Sequence, residues 1–363
     1  MSTSKIANIE TSTLHIPRKP VTSAIGTHHG ITLVVAKVRN EDGQEGVGWT
    51  NVLGSGARSI KAFLDDEFVP IVQGRYAHDV RAIWTEMFRH SLTRGRKGVP
   101  LYAMSAMDIA LWDLHAIEAN LPIHQLLGAV RTSVPVYGDG CWPSLTIEEL
   151  GAEAQRYTDM ELAGIKVKVG VASMRVDLAR IDAVREIVGE DREIMIDANQ
   201  RYDVNSASRM ARHLGDRDIF WFEEPLVADS VMNYADLVRR SPVPIASGEN
   251  EYSRFGFRDL IEAKAVQVLQ PDVHRVGGIT EFMRICALAE AYDMPVAPHT
   301  SFELQAQLLA ACSTALMLEY FDWFPPGFFT EEFDVTGGLI EVSTTPGIGT
   351  RFSPEAIEQF TVT

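Results

Sequence analysis

The chain has 363 residues and a formal net charge of -16 at pH 7. This acidic balance disfavours nucleic acid as a partner, because phosphate binding requires a basic face. The mean hydropathy is -0.02, and we find no apolar run long enough for a transmembrane helix, so we expect no membrane partner. The first residues carry no apolar secretory region, and the three cysteines form no CxxC pair. We therefore expect a cytoplasmic protein.

The first third of the chain predicts an α+β domain. Segment 31–50 contains two strand-like pieces separated by Asp42 and Gly43, which are typical turn residues. Segment 101–121 has apolar residues at helical spacing and predicts a mostly buried helix. We assign residues 1–130 to this N-terminal domain.

From about residue 133, short apolar runs alternate with helical stretches. The alternation of strand and helix predicts a parallel sheet, and eight such units predict a (β/α)8 barrel. We assign residues 131–321 to this barrel and expect the turn-rich segment 322–363 to return to the N-terminal domain. The eight runs lie at 134–142, 164–170, 193–200, 219–226, 243–250, 265–273, 294–300 and 315–321.

Polar side chains end each predicted barrel strand after the first. The carboxyl ends of barrel strands face one mouth, where active sites lie, so we expect these side chains to converge. They are Lys166, Lys168, Asp197, Asn199, Glu223, Glu224, Glu249, Asn250, Asp272, His299 and Glu319.

Three of these carboxylates predict a metal site. Asp197, Glu223 and Glu249 come from three successive strands. Carboxylates that share a small space repel each other and have raised pKa values unless a cation neutralises them. A donor set made only of oxygen favours Mg²⁺, with Mn²⁺ as the second choice. Any one of these carboxylates alone would be interpreted as a solvated or salt-bridged residue at a strand end. Three carboxylates at matching positions on successive strands favour a bound divalent ion.

Two groups of side chains are candidate bases. Lys166 and Lys168 lie two residues apart in "GIKVKVG" and therefore point to one side of their strand. Two close ammonium groups lower each other's pKa, so we expect one lysine to be neutral near pH 7. From another side, Asp272 would fix the tautomer of His299 and raise the basicity of its ring.

This combination suits abstraction of a proton α to a carboxylate. A cation that binds the carboxylate oxygens stabilises the enediolate that forms. We expect Glu319, if protonated, to donate a hydrogen bond to the same oxygens.

The motifs resemble the enolase superfamily, and within it the mandelate racemase subgroup. This resemblance implies an α/β fold, a modified (β/α)7β TIM barrel covered by an N-terminal α+β capping domain. It is carried by "KVK" (166–168), "DAN" (197–199), "WFEEP" (221–225), "SGEN" (247–250), "QPDVHRVGG" (270–278), "PHTS" (298–301) and "LEY" (318–320).

The resemblance also implies residue roles. Lys168 would be the base on the (S) side, and Lys166 would tune it and contact the substrate carboxylate. His299 with Asp272 would be the base on the (R) side. The remaining implied roles are Mg²⁺ ligands for Asp197, Glu223 and Glu249, a position near the α-hydroxyl for Asn199, and the electrophile for Glu319.

The subgroup alone does not fix the reaction, because its members racemise or epimerise α-hydroxy acids or dehydrate sugar acids. Segment 18–30 is expected to be the specificity loop, with Thr27 and His29 as candidate substrate-binding residues. Its polar side chains, which include Arg18, Lys19 and His28, suit hydroxyls or a second carboxylate. A solvated loop is an equal alternative. The aromatic run 321–329 would either wall the pocket or pack against the capping domain or a neighbouring subunit.

The leading hypothesis is a Mg²⁺-dependent lyase that dehydrates a small-molecule carboxylate, an aldonate or aldarate, to a 2-keto-3-deoxy acid. The alternative is a racemase or epimerase of an α-hydroxy or amino acid that uses the same two bases. A non-catalytic binding protein would be expected to lack a ligand or a base, and none is missing. We also expect a symmetric homo-oligomer.

Overall fold

The computed structural model describes residues 4–362, which begin with a three-stranded antiparallel sheet. Its strands are β1 (Ile6–Ser23), β2 (Gly26–Asn40) and β3 (Glu45–Leu53). β1 and β2 form one long hairpin that turns at Ala24 and Ile25. The expectation that segment 18–30 is a loop is therefore wrong. It forms the end of this hairpin, where β-branched residues such as Thr22 and Thr27 pair across the strands.

Helices cover one face of this sheet. The predicted helix over 101–121 is confirmed as the longest of them. At Gly48 of β3, a Cβ atom would lie 2.3 Å from the backbone oxygen of Ala106, so the strand and this helix approach as closely as only glycine allows. The helices are α1 (Ala57–Phe63), a π-helical turn (Leu64–Phe68), α2 (Val69–Val72), a 3₁₀ turn (Ala77–Asp79), α3 (Val80–Ser91), α4 (Val99–Ala119) and α5 (Ile123–Leu126).

A parallel sheet follows and closes on itself. Each strand pairs with the next, Leu269 pairs with Val296, Val296 pairs with Ala315, and the last strand pairs with the first. Val296 therefore occupies the seventh of eight strand positions. The strands are β4 (Ser133–Gly140), β5 (Gly164–Lys168), β6 (Glu193–Asp197), β7 (Trp221–Glu223), β8 (Ile245–Ser247), β9 (Val268–Leu269) and β10 (Leu318–Tyr320).

Helices connect successive strand positions on the outside of the barrel. The arrangement is the modified (β/α)7β barrel that the resemblance implied, under an antiparallel cap. The barrel helices are α6 (Ile147–Asp159), α7 (Met174–Val188), α8 (Val204–Gly215), α9 (Val231–Val238), α10 (Ser253–Glu262), the short α11 (Val273–Val276), α12 (Ile279–Ala291) and α13 (Phe302–Ala310).

Side chains that face the barrel interior form an apolar layer beneath the mouth. Because side chains alternate along a strand, the residue two positions later points to the same side, nearer the mouth. Tyr137, Met195 and Trp221 are thus followed by Asp139, Asp197 and Glu223. The interior apolar cluster consists of Tyr137, Met195, Trp221, Ala246, Val268, Ala297 and Met317.

The C-terminal segment contacts both parts of the chain. It contains β11 (Val335–Thr336), β12 (Leu339–Glu341) and α14 (Pro354–Phe360). β12 pairs with β4 of the barrel, whereas Thr361 pairs with Leu14 of β1. The domain boundaries at residues 130 and 321 stay predictions. None of the helices in the described range 4–362 combines the length and apolar character that a bilayer crossing requires.

Candidate active site

A cavity of about 470 Å³ lies between the capping sheet and the barrel mouth. The capping side contributes the hairpin end, β3 and the beginning of α4. The barrel residues that line the cavity are Asp139, Trp142, Lys168, Asn199, Glu249, Asn250, Arg275, His299 and Thr300. The strand ends thus converge on one space, as expected for a barrel.

The three predicted metal-ligating carboxylates form one cluster. Oxygen atoms of Asp197, Glu223 and Glu249 all lie within 4.8 Å of one another, and all three residues are buried. β6 and β7 place Asp197 directly beside Glu223. The Oε2 atom of Glu249 has no hydrogen-bond partner among the described residues. A buried, oxygen-only donor set with an unpartnered acceptor fits a hard divalent cation.

The protein environment shifts the pKa values of two of these carboxylates in opposite directions. Burial raises the pKa of Glu223 to about 7, against the lowering effect of Lys166. Burial also raises the pKa of Glu249, but His299 and Arg275 outweigh it and bring that pKa to about 2. Glu249 is therefore ionised across the neutral range and available as a ligand.

Both lysines of "GIKVKVG" are buried and face carboxylates. The Nζ atom of Lys168 lies 2.8 Å from Oδ2 of Asp197 and 3.2 Å from Oδ1 of Asp139. The Nζ atom of Lys166 lies 2.9 Å from Oε1 of Glu223 and 2.5 Å from Oε1 of Glu319. The β5–β6 register pairs Lys168 with Asp197, which explains the first contact.

The electrostatics of this structure run against the prediction that one lysine is neutral because of the other. Burial lowers the pKa of Lys168, but Asp139 and Asp197 raise it by more, and it lies above its ordinary value. The pKa of Lys166 is likewise raised, since Asp139 and Glu223 outweigh burial. The repulsion between the lysines exists, but the neighbouring carboxylates are the stronger influence.

The condition set for Glu319 as a hydrogen-bond donor, that it be protonated, is not met in this structure. Burial raises the pKa of Glu319, but Lys166, His299 and Lys168 together more than offset this, so the pKa lies below its ordinary value. The Oε2 atom accepts a hydrogen bond of 2.6 Å from the backbone N–H of Thr300. Glu319 is thus an ion-paired carboxylate in this structure.

His299 and Asp272 come together as the sequence predicted. The Nδ1 atom of His299 lies 2.9 Å from Oδ2 of Asp272, while its Nε2 atom is 3.5 Å from Oε2 of Glu249. Burial lowers the pKa of His299, but Glu249 and Asp272 raise it above its ordinary value. Nε2 is left on the cavity side, where it can exchange a proton with a bound molecule.

Two charged residues of the site were missed. Asp139 ends the first barrel strand, lines the cavity and is buried, which raises its pKa to about 7. Its position two residues after the inward-facing Tyr137 was the available signal. Arg275 lies on α11, and its Nη1 atom is 3.2 Å from Oε1 of Glu249. No strand spacing marks this position, so the sequence offered no comparable signal for it.

Of the predicted substrate-binding residues, Asn199 and Lys166 lie at the carboxylate cluster, but the two from the hairpin do not. Asn199 lines the cavity and donates a hydrogen bond of 2.9 Å to Oδ2 of Asp197. Thr27 and His29 are exposed, and neither is among the residues that line the cavity. His28 lines it instead, because the hairpin register shifts between Pro17 and Val21.

The aromatic run 321–329 divides between the two roles expected of it. Trp323 lines the cavity. Phe328 and Phe329 instead pack on Phe352, with ring centroids 5.5 and 5.7 Å away, and the ring centroid of Phe329 lies 6.1 Å from that of Trp49 on β3 of the cap. Only the beginning of the run therefore belongs to the site.

Two family models match the chain. Residues 8–128 match the mandelate racemase/muconate lactonizing enzyme N-terminal domain, and residues 149–356 match the enolase C-terminal domain-like family. The chain belongs to the mandelate racemase/muconate lactonizing enzyme family. The resemblance inferred from the motifs is thereby confirmed.

Individual members of this family are similar over nearly the whole chain. The 3,6-anhydro-alpha-L-galactonate cycloisomerase of Streptomyces coelicolor is 31% identical over 347 residues, 96% of each chain. The L-talarate/galactarate dehydratase of Salmonella typhimurium is 34% identical over 327 residues, 90% of this chain and 82% of the relative. A racemase from Streptomyces coelicolor, solved with bound magnesium, superposes with a TM-score of 0.95 at 31% identity, covering 98% of this chain and 100% of the other.

Proposed function

We propose that the protein is a Mg²⁺-dependent acid-sugar dehydratase. It is a lyase that removes water from an aldonate or aldarate and gives a 2-keto-3-deoxy acid. The observation that carries this proposal is the complete set of groups around one cavity: a buried cluster of three carboxylates, Lys168 from one strand and the His299–Asp272 pair from others. The similarity to a named dehydratase over 90% of the chain supports it.

Asp197, Glu223 and Glu249 would hold the magnesium ion. Their neighbours orient them, since Trp221 Nε1 and Gln270 Nε2 both donate to Oε2 of Glu223, at 3.0 and 2.7 Å. The magnesium in the superposed Streptomyces structure supports the choice of ion. When bound, the ion supplies positive charge that stabilises the enediolate formed from the substrate carboxylate.

The two bases reach the cavity from either side of the strands that carry the carboxylates. Lys168 ends the second strand, the carboxylates follow the third to fifth, and His299 follows the seventh. In the proposed reaction one of these groups takes the proton from C2, breaking the C–H bond. The other protonates the C3 hydroxyl, which leaves as water, and the resulting enol becomes the 2-keto acid. Lys168 would serve the (S) face and His299 the (R) face.

Racemisation or epimerisation is the second candidate function, and one observation favours it. Both bases line the same cavity, and a two-base racemase requires that arrangement. The two reactions share the first step but differ in the fate of the C3 hydroxyl, so product analysis separates them.

The experiment is incubation of the protein with Mg²⁺ and a panel of aldonates and aldarates, with semicarbazide detection of 2-keto acids. The proposal expects a keto product from at least one compound and none with the Lys168→Ala variant. Exchange of the C2 proton for deuterium in D₂O, without any keto product, would favour the racemase. If no compound of the panel undergoes either reaction, both functions are contradicted.

A further inference from the structure

The cavity has two chemically different ends. Charged side chains line the barrel end, including Asp139, Lys168, Glu249 and Arg275. The capping end is formed by residues from β1 to α4, and no lysine, arginine, aspartate or glutamate of that part of the described chain lines it. The substrate carboxylate belongs at the charged end, so the capping end receives the remote end of the molecule.

Apolar side chains make up much of the capping end. Ile31 and Ile60 are each 2% exposed, whereas Ile25 at the hairpin turn is 60% exposed. When a bound apolar group covers an exposed isoleucine at the edge of a cavity, apolar surface is removed from water and the complex is stabilised. The apolar lining residues are Ile25, Ile31, Val52, Leu53, Ile60 and Val99.

The polar residues of the capping end are neutral hydrogen-bonding groups. Ser23 and His28 contact each other, with 3.2 Å between Oγ and Nε2. Burial, Lys168 and His29 lower the pKa of His28, so its ring is neutral near pH 7. Such groups suit the hydroxyls of a sugar chain. The neutral polar residues of the capping end are Ser23, His28, Asn51, Ser55 and Tyr102.

The cations that line the cavity are already paired with carboxylates. Lys168 contacts Asp139 and Asp197 at 3.2 and 2.8 Å. Arg275 contacts Glu249 and Asp272 at 3.2 and 3.3 Å. A second substrate carboxylate would have to compete with these protein carboxylates for a partner.

Cations close to the capping end in sequence are not among the residues that line this cavity. The guanidinium of Arg18 lies 5.5 Å from the ring centroid of Trp323, and Arg18 does not line this cavity. Lys19 is 3.4 Å from Glu149 on the surface. Lys97 is 3.0 Å from Glu251. Segment 18–30 therefore places no lysine or arginine among the residues that line this cavity.

We propose that the substrate is a monocarboxylic sugar acid whose remote end is uncharged and apolar, as in an aldonate with a terminal deoxy carbon. This inference rests on the proposed function and selects between its two substrate classes. A carboxylate at the capping end would lose its hydration without gaining a cation. A methyl group there would pack on Ile31 and Ile60, while Asn51 and Tyr102 would bond to hydroxyls nearer the middle of the chain.

The first test compares sugar acids that differ only at the remote carbon, which carries a methyl group, a hydroxymethyl group or a carboxylate. The three compounds of each trio share one configuration at the intervening carbons, and a trio of every available configuration is assayed with Mg²⁺. We expect the methyl compound to have the highest kcat/KM, and the diacid to be at least about tenfold lower, because an unpaired buried charge costs more than a lost hydrogen bond. A diacid that equals or exceeds the other two would overturn the inference.

Binding to the Lys168→Ala variant separates this inference from the proposed function. Calorimetric titration of that variant with each trio, in the presence of Mg²⁺, measures affinity without turnover. If no compound is dehydrated by the wild-type enzyme, the proposed function fails, and the order of affinities still tests the inference. Tighter binding of the diacid, or no binding of any monoacid, would overturn it.

The hairpin turn allows a matched pair of variants. Ile25→Arg places a cation at the exposed rim of the capping end, whereas Met232→Arg makes the same kind of change at a residue that is 74% exposed and does not line the cavity. We expect Ile25→Arg to raise kcat/KM for the diacid relative to the methyl compound by about tenfold, and Met232→Arg to leave the ratio unchanged. An unchanged ratio in Ile25→Arg, or an equal shift in both variants, would count against the inference.

Discussion

The Nζ atom of Lys168 lies 2.8 Å from the Oδ2 atom of Asp197 on the adjacent strand. This contact joins a candidate base to a candidate metal ligand. The two roles can still be separated experimentally, because Lys168 itself offers no ligand atom to a cation while it is an ammonium group.

Removal of either base is expected to abolish turnover without abolishing metal binding. Lys168→Ala and His299→Asn should each lower kcat by at least about a hundredfold, the usual contribution of a positioned acid or base. Mg²⁺ should still bind, since all three carboxylates of the cluster remain. Steady-state kinetics and calorimetric titration with MgCl₂ measure the two effects. Lys5→Ala, at an exposed position, is the control, and near wild-type turnover in either base variant would refute that assignment.

Glu249→Gln should weaken Mg²⁺ binding by at least about tenfold, because a neutral amide replaces one of three carboxylate ligands. The change can be read from calorimetric titration and from the smaller rise in Tm that Mg²⁺ produces. Glu303→Gln is a matched control, since Glu303 is also a buried glutamate but lies outside the cluster. An unchanged titration in Glu249→Gln would remove this residue from the ligand set.

Asp139→Asn should lower kcat by about tenfold or more while changing Mg²⁺ affinity little. Asp139 is one of two carboxylates in contact with Lys168, at 3.2 Å, and the neutral amide removes that ion pair but keeps the shape of the side chain. Steady-state kinetics with a turned-over sugar acid measures the effect, and Asp259→Asn on an exposed helix position is the control. A kcat equal to that of the control would show that Asp139 does not position the base.

His274 should make the free energy of unfolding fall as the pH falls. Its Nδ1–H group donates to the oxygen of Trp49, and Nε2 accepts from the hydroxyl of Ser301, both at 2.8 Å. Burial lowers its pKa from 6.5 to about 4. The unfolded chain therefore binds more protons between these two values, so stability present above pH 6.5 is lost as the pH falls toward 4.

The loss of unfolding free energy from this group should be about 3 kcal/mol, because each unit of pKa shift corresponds to about 1.4 kcal/mol. Urea unfolding of the wild type and of His274→Gln at about pH 7 and about pH 4 measures it. We expect the variant to lose less stability over this interval than the wild type. An identical loss in both proteins would show that His274 is not responsible.

The two-residue alternation of side chains along the barrel strands made much of the site predictable. Residues two apart share a face, so the positions of Asp197, Glu223 and His299 at the mouth followed from their places after apolar runs. The same rule applied to Tyr137 would have found Asp139. Arg275 lies on a short helix beyond a strand, where no such period exists.

Charge states and the hairpin end could not be predicted in the same way. The pKa of Lys168 depends on distances to carboxylates on other strands, which the sequence of its own strand does not contain. Whether His28 or His29 faces the cavity depends on a register shift between Pro17 and Val21. Alternation along a strand predicts a face only while the pairing is regular.

The central claim is that this cavity removes the proton α to a carboxylate and expels the neighbouring hydroxyl. Proton NMR of a sugar acid incubated with the enzyme and Mg²⁺ in D₂O tests both steps together. We expect a 2-keto acid that carries one solvent deuterium at C3, because the enol takes its proton from the medium after water has left. Recovery of every sugar acid of the panel with its C2 proton and C3 hydroxyl intact would contradict the claim.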